Sequence, residues 1–389
     1  VIPTGRFFDK LERQRCRQQL MRPTEKAKSV GPHRPKAEPH WSKLGEKTST
    51  AGIRILLFVA KYFGIRPFRL ILKPVLFFYW STNTRLRRDL LAYQERVVDY
   101  LKQRPWIEVD QPDAVLHAGA RPDAKTALAQ LERFGETILD KLLAACGAHV
   151  AKRQLFLEVA GDEPFAADPP NQGAVILTSH AGCQELLSRE SRHHTDHPLV
   201  VLEHTGHAKR FNKLLENASR SDGSRPAAPR CEFFEVTELS PALAMALADR
   251  VEQGAYIILA GDRTPIGSEK AVAEVDFLGA KAPFPTGGAL LALLLKCPLR
   301  MMTCTRRASI SGDPPGSARY RVKFASLDES PAAPRREREA WLKRMAQAYA
   351  DNLAAEILRS PRDWFNFYDF WGESQSDETV CGRRRKGLN

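Results

Sequence analysis

Hydrophobic and polar positions along this 389-residue chain change period several times, and the changes predict its elements. From residue 124 onward, short apolar runs alternate with longer stretches of helical spacing. GAVILTSH (173–180), PLVVLEH (198–204), AYIILAGD (255–262), PLRMMTCT (298–305) and RYRVKFASL (319–327) read as strands. Helical spacing predicts helices over 124–146, about 183–192, near 208–219, and over 240–253, 286–296 and 335–359. Residues 221–230, rich in Ser, Pro and Arg, predict a loop. Strands alternating with helices predict an α/β domain: a mixed, largely parallel sheet flanked by helices. No internal repeat is visible.

The pattern upstream is different. Residues 1–38, rich in Arg, Lys, Gln and Pro, predict a flexible basic tail with one helical stretch around 7–21. Residues 51–81, AGIRILLFVAKYFGIRPFRLILKPVLFFYWS, are strongly apolar yet carry Arg54, Lys61, Arg66, Arg69 and Lys73. A spanning helix needs about 20 apolar residues with few charges, so no span is predicted. Pro67 and Pro74 are expected to break the run into two short pieces. Arg54 and Lys61 share one helical face, Arg69 and Lys73 another, and Tyr79 and Trp80 suit a headgroup boundary. The pattern describes membrane-binding helices lying in the headgroup layer. It also suits a helical hairpin buried against the domain. Residues 84–104 read as a basic amphipathic helix, and a proline- and charge-bearing stretch, 105–124, follows. The organisation predicted is a tail (1–38), amphipathic membrane-associating helices (39–104), a catalytic domain (105–371) and a flexible basic C-terminal tail (372–389).

Charge sharpens this division. Residues 1–104 carry 23 Lys+Arg against 8 Asp+Glu, more than the whole net charge of +13, so the remainder is close to neutral. Such asymmetry points to an anionic partner for the N-terminal quarter: a phospholipid surface, an acidic carrier protein or nucleic acid. Basic residues interleaved with bulky aliphatics favour lipid over nucleic acid. Seven scattered Cys with no C-x-x-C pair argue against a disulfide framework or a zinc site and for a reducing compartment. The polar, charged start is not expected to be a secretory signal.

Four constellations could carry chemistry. In His180-Ala-Gly-Cys-Gln-Glu185 the histidine ends a hydrophobic strand, where ligand and catalytic groups of open α/β sheets gather. A turn into the next helix could bring Glu185 to the imidazole, fixing its tautomer for general-base work. The plain alternative is a strand-end His beside a solvated Glu. Gly261-Asp262-Arg263 follows another strand and could orient substrate or meet developing negative charge, or be a structural ion pair. His193 and His197 are four apart and His204 and His207 three apart, but no H-E-x-x-H pattern accompanies them and no metal is expected. Thr286-Gly287-Gly288 opens a helix whose small residues would admit a ligand, or is simply a helix start. No Walker A motif, Rossmann fingerprint or G-x-S-x-G elbow is present, which disfavours kinase, dehydrogenase and serine-hydrolase chemistry.

The blocks SHAGCQELL, VVLEHTGHAKRFNKLL, YIILAGDRTPIG, VDFLGAKAPFPTGGALLALLLKCPL and WFNFYDFW occur in an order that resembles bacterial predicted acyltransferases. These are relatives of the lipid A lauroyl/myristoyl acyltransferases in the lysophospholipid acyltransferase superfamily, and the resemblance runs from about His40 to Trp371. It implies a glycerolipid acyltransferase-like fold and a His-x4-Asp/Glu catalytic pair, which maps onto His180 and Glu185. Asp262 and Arg263 match a substrate-side block, with Arg263 departing from the relatives' Asp-Gln form. His204, His207, Arg210 and Asn212 resemble a block expected to line the site, as are Thr286 and Gly287. The implied donor is an acyl carrier protein or coenzyme A thioester, with no cofactor; the acceptor is a hydroxyl or amine of a lipid or glycolipid. The implied location is the cytoplasmic face of the inner membrane. The rival expectations are a non-catalytic lipid- or carrier-binding protein on the same fold, and a thioesterase.

Overall fold

A computed structural model of the chain describes residues 50–107, 121–146, 154–160, 168–184, 186, 197–203, 231–235, 241–264 and 271–372. Helices α1 (Thr50–Phe63), α2 (Ile65–Thr82), α3 (Thr84–Lys102) and α4 (Ala124–Cys146) come first. Strands β1 (Leu155–Ala160), β2 (Ala174–Thr178), β3 (Leu199–Glu203) and β4 (Cys231–Glu235) follow, then helix α5 (Pro241–Glu252) and strand β5 (Tyr256–Ala260). A hairpin, β6 (Val272–Phe277) and β7 (Ala280–Pro285), leads into α6 (Gly287–Leu295), β8 (Leu299–Arg307), β9 (Ala318–Asp328) and α7 (Arg338–Arg359).

The sheet has seven strands in the order β1-β9-β8-β2-β5-β3-β4. The five from β8 to β4 are parallel; β9 runs antiparallel to β8, and β1 pairs parallel with β9. The architecture is therefore the predicted mixed, largely parallel sheet with helices. Central strands read as unbroken apolar runs because both faces are covered. In β2, Val175 and Leu177 enter one core with α6 and α7, while Ala174 and Ile176 enter a second core on the opposite face. Ile257 and Tyr256 of β5 divide in the same way.

Four strands were not legible in the sequence. β1 and β4 are short edge strands whose periodicity is weak, and all six residues of β1 are only half-buried. The β6–β7 hairpin turns on Leu278 and Gly279, both with positive φ (48° and 84°). Such turns are usually signalled by Asn-Gly or Asp-Gly. Here a buried Leu occupies the first position, and prolines at 283 and 285 disguise β7.

The N-terminal helices break at Gly64 rather than at a proline. Gly64 has φ 87°, a conformation that side-chain-bearing residues rarely adopt. Pro67 lies in the first turn of α2, where a missing N–H is harmless, and the helix continues through Pro74. One face of α2 (Ile65, Phe68, Leu72, Trp80) is buried, with Leu72 in a cluster with Leu139 of α4. The other face leaves Leu70, Ile71, Val75, Phe77 and Phe78 exposed, as α1 leaves Ile55, Phe58, Tyr62 and Phe63. The helical hairpin packed on the domain, one of the two expectations for 51–81, describes the inner side of α2, and the outer side is apolar and exposed. No helix among the described residues is long and apolar enough to cross a membrane.

Ile257 is fully buried in the strand that carries part of the site described below. Ile257→Ala should lower unfolding free energy by about 2–5 kcal/mol, read by denaturant titration, because the cavity cannot close between two neighbouring strands.

Candidate active site

Strands β2 and β5 are parallel neighbours, with Thr178 opposite Ala260. Two residues beyond each, His180 and Asp262 leave the sheet side by side at its carboxyl edge. The onward connections run in opposite directions, from β2 to β3 and from β5 to β8, the topology at which open α/β sheets bind ligands. His180 Nδ1 lies 2.7 Å from Asp262 Oδ1, and the His180 backbone N–H donates to Asp262 Oδ2 at 2.9 Å. A carboxylate only accepts, so Nδ1 carries the proton and Nε2 keeps its lone pair for a substrate. Asp262 is fully buried, whereas the His180 side chain is 24% exposed.

The segment after α7 completes the site. A 3₁₀ turn, Pro361–Asp363, delivers residues 364–366 along the chain just past β2. The Phe365 N–H donates to His180 O at 3.0 Å, the Gly182 N–H to Asp363 O at 2.8 Å, and Ala181 bridges Trp364. Trp364 and Asn366, two apart on near-extended backbone, both reach Asp262 Oδ2: Trp364 Nε1 at 3.0 Å and Asn366 Nδ2 at 3.2 Å. Gln130 of α4 holds Trp364 O at 2.9 Å, and Tyr349 of α7 donates to Thr178 O at 2.6 Å. The Trp364 ring is packed among Tyr93, Phe277 and Phe370, with centroids 4.8–5.4 Å away. Gly182 has φ 70° and lies so close to β8 that a Cβ would come within 1.9 Å of Cys304 O.

Electrostatics poise the pair. Burial pushes the Asp262 carboxyl up, but His180, its hydrogen bonds and Arg263 outweigh burial and hold it at about 2. Burial and then Arg263 push the His180 imidazole below its ordinary value, against the pull of Asp262. The resting state is therefore a neutral imidazole on an ionised carboxylate, the form a general base requires.

Asp262, expected on the substrate side, is the carboxylate that holds His180. Glu185, the expected partner, lies outside the described residues, as do His204, His207, Arg210 and Asn212. Arg263 donates from Nε to Asn366 Oδ1 at 2.9 Å and from Nη2 to Phe365 O at 3.2 Å, so two of its donors fasten the 364–366 segment. Thr286 and Gly287 stand at the amino end of α6. That helix leads into β8, which runs parallel to β2, so its amino end lies at the same sheet edge as His180. Gly288 packs so tightly there that a Cβ would come within 2.5 Å of Leu177. Thr286 makes no side-chain cap to the helix. His197 is a core residue, bonded through Nδ1 to Gly254 O at 2.7 Å and stacked on Tyr256. A cavity of about 430 Å³ lies at the opposite edge of the sheet, lined by residues including Gly173, Val251 and Lys296, and does not include His180.

Sequence reasoning missed Trp364 and Asn366. Their i, i+2 spacing in a Trp- and Phe-rich stretch was the available signal. Neither protein-family models nor curated proteins show any match to the chain.

Asp262 contributes stability in full above its ordinary value of 3.8 and loses it as pH falls through about 2. The stability gap between the parent protein and Asp262→Asn should therefore shrink by roughly 2 kcal/mol over that fall, measured by urea unfolding across pH.

Proposed function

We propose that this chain is a membrane-surface acyltransferase of the glycerolipid acyltransferase type, moving a fatty-acyl group from a thioester to a hydroxyl or amine of a lipid or glycolipid. The observation that carries the reading is a partly exposed His180 whose Nδ1 is held by buried Asp262 at the carboxyl edge of a parallel sheet. The acceptor's O–H or N–H gives its proton to His180 Nε2 as the oxygen or nitrogen attacks the thioester carbonyl. The imidazolium that forms is stabilised by Asp262. The tetrahedral intermediate collapses with cleavage of the C–S bond, and the departing thiolate takes the proton back from His180. Negative charge on the carbonyl oxygen is met by the Arg263 cation and the positive end of the α6 dipole.

The exposed apolar faces of α1 and α2 support the membrane part of the reading. Phe77 and Phe78 are 61% and 64% exposed, and Arg66 and Lys73 stand exposed on the same helix. Surfaces with so many exposed aromatic and aliphatic side chains mark interaction sites. Each cation near an anionic leaflet adds about 1 kcal/mol of attraction. A lipid occupant accords with the basic N-terminal quarter; in this reading the reaction takes place at the cytoplasmic face of the inner membrane, with an acyl carrier protein or coenzyme A thioester as donor.

Two measurements test this. With an acyl thioester and a lipid acceptor, His180→Ala should lower turnover at least about a hundredfold, and Asp262→Asn should fall in the same range, with circular dichroism unchanged. Because protonation of His180 removes the base, kcat/KM should fall on the acid side with a midpoint below 6.5, the ordinary histidine value. Unchanged turnover in His180→Ala would remove the mechanism. Separately, replacing Phe77 and Phe78 together by Asp should release the protein from phosphatidylglycerol vesicles in a flotation assay; undiminished binding would remove the membrane role.

A further inference from the structure

Beneath helix α2 lies an ion cluster that the proposed chemistry does not use. Three cations, Arg69 of α2, Arg133 of α4 and Arg306 of β8, meet three buried carboxylates, Glu136 and Asp140 of α4 and Asp363 of the 3₁₀ turn. Glu136 is its hub. One of its oxygens takes Arg69 Nε, and the other takes Arg306 Nη1 at 2.7 Å. Arg306 in turn fastens the turn that precedes the site. Its backbone N–H donates to Asp363 Oδ2, and its carbonyl accepts Ser360 Oγ at 2.6 Å. Arg133 Nε approaches Asp363 Oδ1 at 3.7 Å, and Tyr320 donates to Asp140 at 2.6 Å. The next residue, Trp364, holds Asp262, and the one after it holds His180 O.

Each link is a direct contact, and together they run from α2 to Asp262: Arg69, Glu136, Arg306, Asp363, Trp364, Asp262. The helix at one end is the one whose other side presents Leu70, Phe77 and Phe78 to the outside. The carboxylate at the other end sets the orientation of the base. In a weakly solvated setting, a carboxylate that loses a guanidinium partner rearranges toward its remaining partners or toward water. A shift of α2 therefore reaches Arg306 and the turn through Glu136, without needing a path through solvent.

We propose that Glu136 is a positioning residue for the His180–Asp262 pair, and that through Arg69 it ties that pair to the lipid-facing helix α2. Docking of α2 on a membrane then tightens the seat of Asp262. This rests on the membrane-surface reading above, but not on the identity of the reaction. Arg69, expected from the sequence to share a basic face with Lys73, reaches Glu136 through Nε while 39% of its side chain stays exposed.

The test reads the proton on His180 Nδ1, which a short hydrogen bond to a carboxylate moves far downfield in a proton spectrum. Its exchange with water reports how firmly Asp262 is seated. Asp262, Arg263 and Lys141 are the charged groups that act on His180, and none of them is altered. In the full chain, phosphatidylglycerol vesicles should slow this exchange by about tenfold. Arg69→Met should still float with vesicles yet show no slowing, and Arg69→Lys, which restores a cation, should regain part of it. Glu136→Gln should speed the exchange by about tenfold without vesicles. Should Glu136→Gln fail to fold, the Arg69 pair of variants decides the matter alone. An unchanged exchange rate in the parent on vesicle binding, or a full response in Arg69→Met, overturns the coupling. None of these readings needs turnover, so a protein that transfers no acyl group sinks the reaction and leaves the coupling standing.

Discussion

A carboxylate with no exposed surface sits at the edge of a parallel sheet, and the rest of the site is arranged to keep it ionised. Removing a carboxylate from water is unfavourable by several kcal/mol unless its oxygens are well hydrogen-bonded. Asp262 meets that demand with four donors: the backbone and ring of His180, the indole of Trp364 and the amide of Asn366. Each donor comes from a segment whose own position is fixed elsewhere. The requirement to satisfy one charge therefore selects the path of the chain around it, and the orientation of His180 follows.

The sheet supplies half of that solution and the C-terminal segment the other half. β2 and β5 bring His180 and Asp262 together by register alone, since both leave the sheet two residues after paired positions. Nothing in that register would hold them against water. The segment 361–366 does so by closing over the strand end, with Gly182 lying where only a residue without a Cβ can approach β8. Aromatic packing around Trp364 makes this closure part of the main core rather than a loose flap. Arg263 contributes in the same sense: its charge depresses the histidine, while two of its hydrogen bonds hold the segment that holds Asp262.

What the sequence disclosed and what it concealed divide along a physical line. Strands buried on both faces, such as AVILT and YIILA, announce themselves as apolar runs, and His180 and Asp262 were legible as chemistry at strand ends. Their pairing was not, because strand order cannot be read from periodicity: β2 and β5 are neighbours in space although β3 and β4 intervene in sequence. The sequence therefore offered the local carboxylate of Glu185, which lies outside the described residues. The hairpin of residues 272–285 stayed hidden because a buried Leu takes the turn position that Asn or Asp usually marks. In the N-terminal helices the prolines drew attention, yet proline in a first turn is harmless and Gly64 made the break.

The distribution of charge in the N-terminal helices carries a further consequence. A helix that merely packed on the domain would bury its apolar side and face water with its charges. In helix α2 the half-exposed Arg69 instead pairs with buried Glu136, while Phe77 and Phe78 are left outside. The buried carboxylate of Glu136 is tolerable because it lies between the Arg69 and Arg306 guanidinium groups. An element with aromatic residues outward and an ion pair inward presents two sides of different character, one apolar and one ionic. The inner contacts continue from Glu136 through Arg306, Asp363 and its neighbour Trp364 to Asp262.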